Sequence, residues 1–240
     1  MSTPLPRTLV VDIGGTGIKT LLVSRDGKAL GRRRRERTPK PATPAAVLAV
    51  VERMIDRYRA FERVAVGFPG VIKNGVVRTA PNLGTEAWEG CALEKAISRH
   101  TKTPVRAIND AELQGYGVIE GVGVEIVLTL GTGLGTALYV DGRLVPNLEL
   151  GHHPLRRGAT YEDLVNNREL RRIGKKRWRG RVDLIIDTLG RIFNYDTLHI
   201  GGGNARHLKG PFHNNVRLFE NADGLLGGIR LWPTSRRASR

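Results

Sequence analysis

Cysteine occurs once in the 240 residues, at Cys91. A single thiol excludes an intrachain disulfide and a cysteine-based zinc site. Acidic residues are also scarce: 23 Asp and Glu stand against 39 Lys and Arg, for a net charge of +16. Long apolar runs are missing, and none approaches the roughly 20 residues of a membrane-spanning helix, so no membrane partner is expected. The opening MSTPLPRTLVVDIGG has no basic segment ahead of its apolar run. No signal peptide is therefore expected, and the expected compartment is the cytoplasm. Aromatics make up 5% of the chain, and only Trp178 lies in a basic run. Surfaces that bind single-stranded nucleic acid interleave aromatic with basic residues, so nucleic acid is disfavoured as a partner.

What is present is a globular composition, 40% hydrophobic, with clustered positive charge. The clusters are RRRRER at 32–37, the stretch from Arg168 to Arg181, and the tail SRRASR. Each can be a solvated face. Three runs of one sign also form a field that attracts polyanions.

The pattern predicts strands at 8–13 and 18–24 joined by a glycine loop, then an Asp26-Gly27 hairpin turn into a third strand near 28–37. Val47, Val50, Val51, Met54, Ile55 and Tyr58 fall at helical spacing after Ala45. A strand at 63–68, a helix at 91–100 with Leu93 and Ile97 inward, and a strand at 105–108 follow. The pattern then restarts, with strands at 125–130, 134–140 and 143–145, the first pair joined by Gly131-Thr132-Gly133 and the second by Asp141-Gly142. A mostly helical stretch over 160–195, a strand at 197–200 and a last helix at 222–231 complete the reading. The repeated strand–glycine turn–strand–Asp-Gly–strand unit implies two related α/β halves with a cleft between them.

The first loop reads DIGGTGIK, residues 12–19. It fits neither GxxxxGK[ST] nor GxGxxG. Tight glycine turns still let backbone N–H groups approach an anion closely. Gly14, Gly15 and Gly17 offer this in the first half, with the Thr16 hydroxyl as a further donor and Lys19 as a cation. Gly131, Gly133 and Gly135 offer it in the second. Asp12 would sit beside the phosphates, which implies Mg²⁺ between them, directly or through water. In AINDAELQG (107–115), Asn109 can cap a helix start and Asp110 can take a proton from a substrate hydroxyl. In LELGHHP (148–154), Glu149 and His152 suit sugar hydroxyls or half of a metal site. The Pro/Gly loop APNLG at 80–84 can line a pocket.

DIGGTGIK, GFPGVIKNG, APNLG followed by Trp88, NDAELQG, LTLGTGLGTAL, LELGH and IGGGN, in that order, resemble the ROK sugar-kinase family, and within it the polyphosphate glucokinases. The resemblance spans roughly residues 8–231. It implies the α/β actin/hexokinase-like ATPase fold, two ribonuclease-H-like halves around a cleft, here divided as 1–108 and 109–240 with the last helix packing back on the first half. It implies phosphate binding by Gly14, Gly15, Thr16, Gly17, Lys19, Gly131, Thr132, Gly133, Gly135, Gly201, Gly202 and Gly203. Sugar would be held by Asn82, Asn109, Glu149 and His152, with Asp110 as sugar contact and catalytic base. Many relatives carry a zinc-binding cysteine cluster after the Gly-His pair. This chain reads GHHPLRRGATYED there, so no zinc is expected, as in the polyphosphate branch. His153 has no counterpart role.

The expected activity is phosphoryl transfer from polyphosphate or ATP, with Mg²⁺, to the 6-hydroxyl of glucose. A kinase of another hexose and a non-catalytic sugar-sensing regulator are the alternatives. The first core strand begins near residue 8, so the helix-turn-helix domain of ROK repressors is not expected before it. A homodimer is expected from the relatives. The basic residues Arg171, Arg172, Lys175, Lys176, Arg177 and Arg179 are candidates for a polyphosphate track.

Overall fold

The computed structural model describes residues 6–232; the basic tail at 235–240 lies outside the described residues. The strands are β1 (Thr8–Ile13), β2 (Ile18–Val23), β3 (Arg34–Glu36), β4 (Arg63–Phe68), β5 (Ile72–Lys73), β6 (Val76–Val77), β7 (Val105–Asn109), β8 (Val124–Leu130), β9 (Leu134–Val140), β10 (Arg143–Val145), β11 (Pro154–Arg156), β12 (Ala159–Thr160), β13 (Thr197–Gly201) and β14 (Val216–Leu218). The helices are α1 (Pro44–Ile55), α2 (Thr85–Trp88), α3 (Leu93–Thr101), α4 (Asp110–Tyr116), α5 (Tyr161–Val165), α6 (Asn167–Phe193) and α7 (Asn221–Leu226).

Ten strands form two sheets of identical topology. One runs β3-β2-β1-β4-β7, the other β10-β9-β8-β13-β14. In each, an antiparallel three-strand meander is followed by two strands parallel to its first member. The sequence repeat is thus a structural repeat, and the glycine turn joins the first two strands of each sheet.

Burial follows the strand pleat. Leu9, Val11 and Ile13 point to one face of β1 and pack with Val47, Val51 and Met54 of α1 and Ile97 of α3. Val10 points to the other face, against Leu113 of α4 and Leu225 and Leu231 near the end of the described chain. In the second sheet Ile126, Leu128 and Leu130 pack with Trp178, Val182 and Ile186 of α6. Helix α4 touches both sheets. Leu113 fits over Gly67 of β4, where an added Cβ would come within 2.8 Å of it. On the other side the Tyr139 hydroxyl of β9 donates to the Glu112 carbonyl at 2.5 Å. The N-terminus of α4 is thereby fixed between the sheets.

Three expectations are corrected and one is detailed. The third strand is not continuous over 28–37. After the Asp26-Gly27 turn only a single Val23–Ala29 bridge forms, and regular pairing resumes at Arg34. Gly31, at φ 108°, bends the chain between them. The mostly helical stretch expected over 160–195 is present as two helices: α5 ends at Val165, Asn166 caps α6, and Gly174 departs from helical geometry at φ 77°, ψ 162°. The helix at 222–231 is α7 followed by a 3₁₀ turn, Gly227–Leu231. A Cβ at Gly227 would lie 2.4 Å from the Leu113 carbonyl, so the chain tightens where glycines let it approach α4. Finally, β14 supplies a fifth strand to the second sheet where none was expected.

Candidate active site

A cavity of about 580 Å³ opens between the two glycine turns. Gly14, Gly15, Thr16, Gly17 and Lys19 line it from the β1–β2 side, and Gly131, Thr132, Gly133 and Gly135 from the β8–β9 side. Asn82, Asn109, Asp110, Glu149, His152, Gly202 and Gly203 complete the set of sequence-predicted residues on its wall. Both turns are closed by a backbone bond at their first glycine. Gly14 N–H donates to the Gly17 carbonyl at 3.1 Å and Gly131 N–H to the Gly133 carbonyl at 3.0 Å.

Two predicted residues stand back from the wall. Asp12 is 3% exposed, and its Oδ2 accepts a hydrogen bond from Lys19 Nζ at 2.7 Å. The two residues face each other across the β1–β2 ladder. Gly201 serves packing: a Cβ there would lie 2.3 Å from the Phe219 ring. None of Arg171, Arg172, Lys175, Lys176, Arg177 and Arg179 lines this cavity. Lys176 and Arg179 border a separate one with Asp183 and Lys209. Arg172 is engaged by Glu169, whose carboxyl it holds down at about 2 with help from Arg181.

Asn109 and Asp110 owe their placement to a capping box. Asn109 Oδ1 accepts from Ala111 N–H at 2.8 Å, and Glu112 Oε2 accepts from Asn109 N–H at 3.2 Å. The cap stops β7 and starts α4 at that point. It leaves Asn109 Nδ2 free to donate to Glu149 Oε1 at 3.1 Å. The other oxygen of Glu149 lies 3.5 Å from His152 Nε2. Glu112 is itself buried, and its Oε1 accepts from Asn147 N–H at 2.6 Å. Burial nonetheless leaves the Glu112 pKa above the ordinary carboxylate value.

Asp110 sits at the first position of α4. Burial pushes its pKa up to about 8, and the nearby Asp12 and Glu149 charges add to the rise. The Ala111 N–H, which donates to its Oδ1 at 2.8 Å, and the Lys19 cation pull the other way without cancelling the effect. Burial also raises Glu149, opposed by His152. A carboxyl that titrates near neutrality can exchange a proton with a hydroxyl group.

No cluster of three or more His, Cys, Asp or Glu able to hold a metal ion occurs among the described residues. Mg²⁺ needs no such cage, because it binds through one or two carboxylates with substrate phosphates and water. The like charge between Asp12 and Asp110 is the kind of repulsion a divalent cation relieves, so Asp12 fits as its protein contact.

Sequence reasoning missed several wall residues: Arg33, Arg35, Gln114, Thr129, Glu162, Asn167 and Asn204. Glu162 Oε2 accepts from Leu134 N–H at 2.8 Å beside Gly133. Asn204 Nδ2 donates to the Gly131 carbonyl at 3.0 Å, tying the third glycine turn to the second. For Arg33 and Arg35 a signal existed, since residues two apart on a strand share a face. The others depend on how distant segments meet.

The ROK family model matches residues 8–162. The chain is 31% identical over 214 residues to the polyphosphate glucokinase of Mycobacterium leprae, covering 85% of this chain and 66%, just under two thirds, of that protein. It is 31% identical over 205 residues to the polyphosphate glucokinase of Mycobacterium tuberculosis, covering 82% and 77%. Among solved structures, the inorganic polyphosphate/ATP-glucomannokinase from Arthrobacter sp. strain KM superposes with a TM-score of 0.86 at 30% identity, covering 94% of this chain and 98% of that one. A ROK family glucokinase from Streptomyces griseus in complex with glucose and AMPPNP gives a TM-score of 0.80 at 19% identity, with coverage of 94% and 98%, a likeness of fold. The fold is that of the actin/hexokinase-like ATPases.

Proposed function

This chain belongs to the ROK family, and from that premise we propose that it is a sugar kinase transferring a phosphoryl group from inorganic polyphosphate, or from ATP, to the 6-hydroxyl of glucose. The observation that carries the reading is the common cavity: two glycine turns from two repeated sheets, with a carboxyl of raised pKa between sugar-type hydrogen-bonding groups. The mycobacterial polyphosphate glucokinases support the choice of donor and acceptor.

Asp110 accepts the proton of the 6-hydroxyl as the new P–O bond forms. Its pKa near 8 lies close to a working pH, where a general base is most effective. Asn109, Glu149, His152 and Asn82 orient the sugar. The glycine turns present backbone N–H groups to the donor, with Lys19 on the same wall held 2.7 Å from Asp12. Gly202 and Gly203 flank the donor from the second half. Positioning and electrostatics do most of the work in phosphoryl transfer. Asp12 would hold Mg²⁺, directly or through water. When bound, that ion neutralises charge on the phosphoryl oxygens.

The test is formation of glucose 6-phosphate with Mg²⁺, using long-chain polyphosphate and ATP in parallel at equal phosphate. Turnover with polyphosphate supports the full reading. Turnover with ATP alone keeps the sugar kinase and removes the polyphosphate donor. Silence with both donors overturns the reading.

A further inference from the structure

The run RRRRER at 32–37 is divided by the strand it enters. Arg34 stacks over Tyr58, its guanidinium carbon 5.5 Å from the ring centroid. Glu36, on the same face as Arg34, accepts from Arg53 and lies 2.8 Å from Arg57. Arg33 and Arg35, the alternate residues, face the other way and line the catalytic cavity. A strand reverses its side chains at every residue, so one charge run serves two purposes.

The two cavity-facing arginines have no carboxylate partner among the described residues. They also continue a row. Asp12 faces Lys19 across β1–β2, and Lys19 faces Arg35 across β2–β3. Lys19 spends its charge on Asp12 at 2.7 Å. The excess positive charge beside the first glycine turn is therefore that of Arg35 and Arg33. Arg35 overhangs the turn itself: a Cβ on Gly17 would lie 2.8 Å from its guanidinium nitrogens. Arg33 lies just before the first residue of β3, so the pair carries the cationic wall from the glycine turn to the start of that edge strand.

A nucleotide ends its phosphates after three groups in a ribose and a base. A linear polyphosphate continues as repeating anions. We propose that Arg33 and Arg35 hold phosphates of a linear polyphosphate chain beyond the group being transferred, and so set the preference for that donor over a nucleotide. The proposal rests on the sugar-kinase reading and on polyphosphate as a donor. Guanidinium groups suit it, because their planar fork pairs with phosphate oxygens two at a time.

The experiment compares Arg33→Gln/Arg35→Gln with the unsubstituted protein and with Arg34→Gln, which removes a charge of the same run from the opposite face. Folding is checked by melting temperature, and KM is measured for long-chain polyphosphate, ATP and glucose. The expected result is a KM for polyphosphate raised roughly tenfold or more in the double variant, with KM for ATP and glucose little changed. Arg34→Gln leaves polyphosphate KM near its starting value. Weaker dependence of polyphosphate KM on salt in the double variant is also expected. An unchanged polyphosphate KM, or equal losses with ATP and polyphosphate, overturns the proposal and leaves the sugar-kinase reading intact. An unsubstituted protein that uses ATP but not polyphosphate overturns the proposal together with the donor reading.

Discussion

Asn109 Nδ2 donates to Glu149 Oε1 at 3.1 Å, joining the end of the last strand of one sheet to the loop beyond the third strand of the other. The same Asn109 caps α4 through its Oδ1. One side chain thus sets both the start of α4 and the position of a proposed sugar-binding carboxylate. Asn109→Ala loses both roles and is expected to destabilise the fold by about 0.5–2 kcal/mol, with a higher KM for sugar. Asn109→Asp keeps a capping oxygen but places a carboxylate against Glu149. It is expected to retain more stability while still losing sugar affinity. Thermal melts and KM for glucose separate the two effects.

The raised pKa of Asp110 gives a pH signature. The general base must be ionised, so kcat/KM is expected to rise with pH through the pKa of the free protein, about 8. Asp12 is among the charges that raise it. Asp12→Asn is expected to lower the rate and to move the inflection to lower pH. A pH–rate profile of each protein checks both points.

The same shift has a stability consequence. Asp110 titrates at about 8 in the folded protein and near 3.8 when exposed. Between those values the folded state holds a proton that the unfolded state has released, so this group's contribution to stability falls as pH rises. Asp110→Asn removes that loss. Its melting temperature is expected to exceed that of the unsubstituted protein by several degrees at pH 8 and by much less near pH 4.

Neighbouring glycines of the third turn separate packing from binding. Gly202 has φ +90°, and a Cβ there would lie 2.4 Å from the Leu130 carbonyl oxygen. Gly202→Ala is expected to destabilise the fold by about 1–3 kcal/mol or more. A Cβ at Gly203 meets nothing within 4 Å, yet the residue lines the cavity. Gly203→Ala is expected to fold normally and to raise donor KM. Melting curves with donor kinetics on both variants give the comparison.

The basic residues of α6 supply the contrast to Arg33 and Arg35. Arg171 and Arg177 are exposed and away from the cavity. Neutralising them together is expected to leave polyphosphate KM within about twofold, because their charges act only through screened solvent.

The repeat was legible because strand, glycine turn and strand are contiguous, and each carries its own pattern. Asn109 and Asp110 were legible because a cap is a local signal. The placement of Glu162, Asn167 and Asn204 was not, since it arises where α5, α6 and the turn after β13 converge on one cavity. Charge density pointed to α6 as a polyanion track. The structure turns Arg172 to Glu169 and brings Arg33 and Arg35 to the cavity instead. A three-residue strand such as β14, whose Val-Arg-Leu is too short a run for its alternation to stand out, carries too little pattern to be seen without its partner β13.

The central claim is that Asp110 is the base in phosphoryl transfer to a sugar hydroxyl. The most direct test measures kcat for glucose 6-phosphate formation at saturating glucose and donor in the unsubstituted protein and in Asp110→Asn, with glucose affinity determined by calorimetry on both. The account predicts a fall in kcat of at least ~100-fold with glucose affinity largely retained. Near-normal turnover in Asp110→Asn would contradict it.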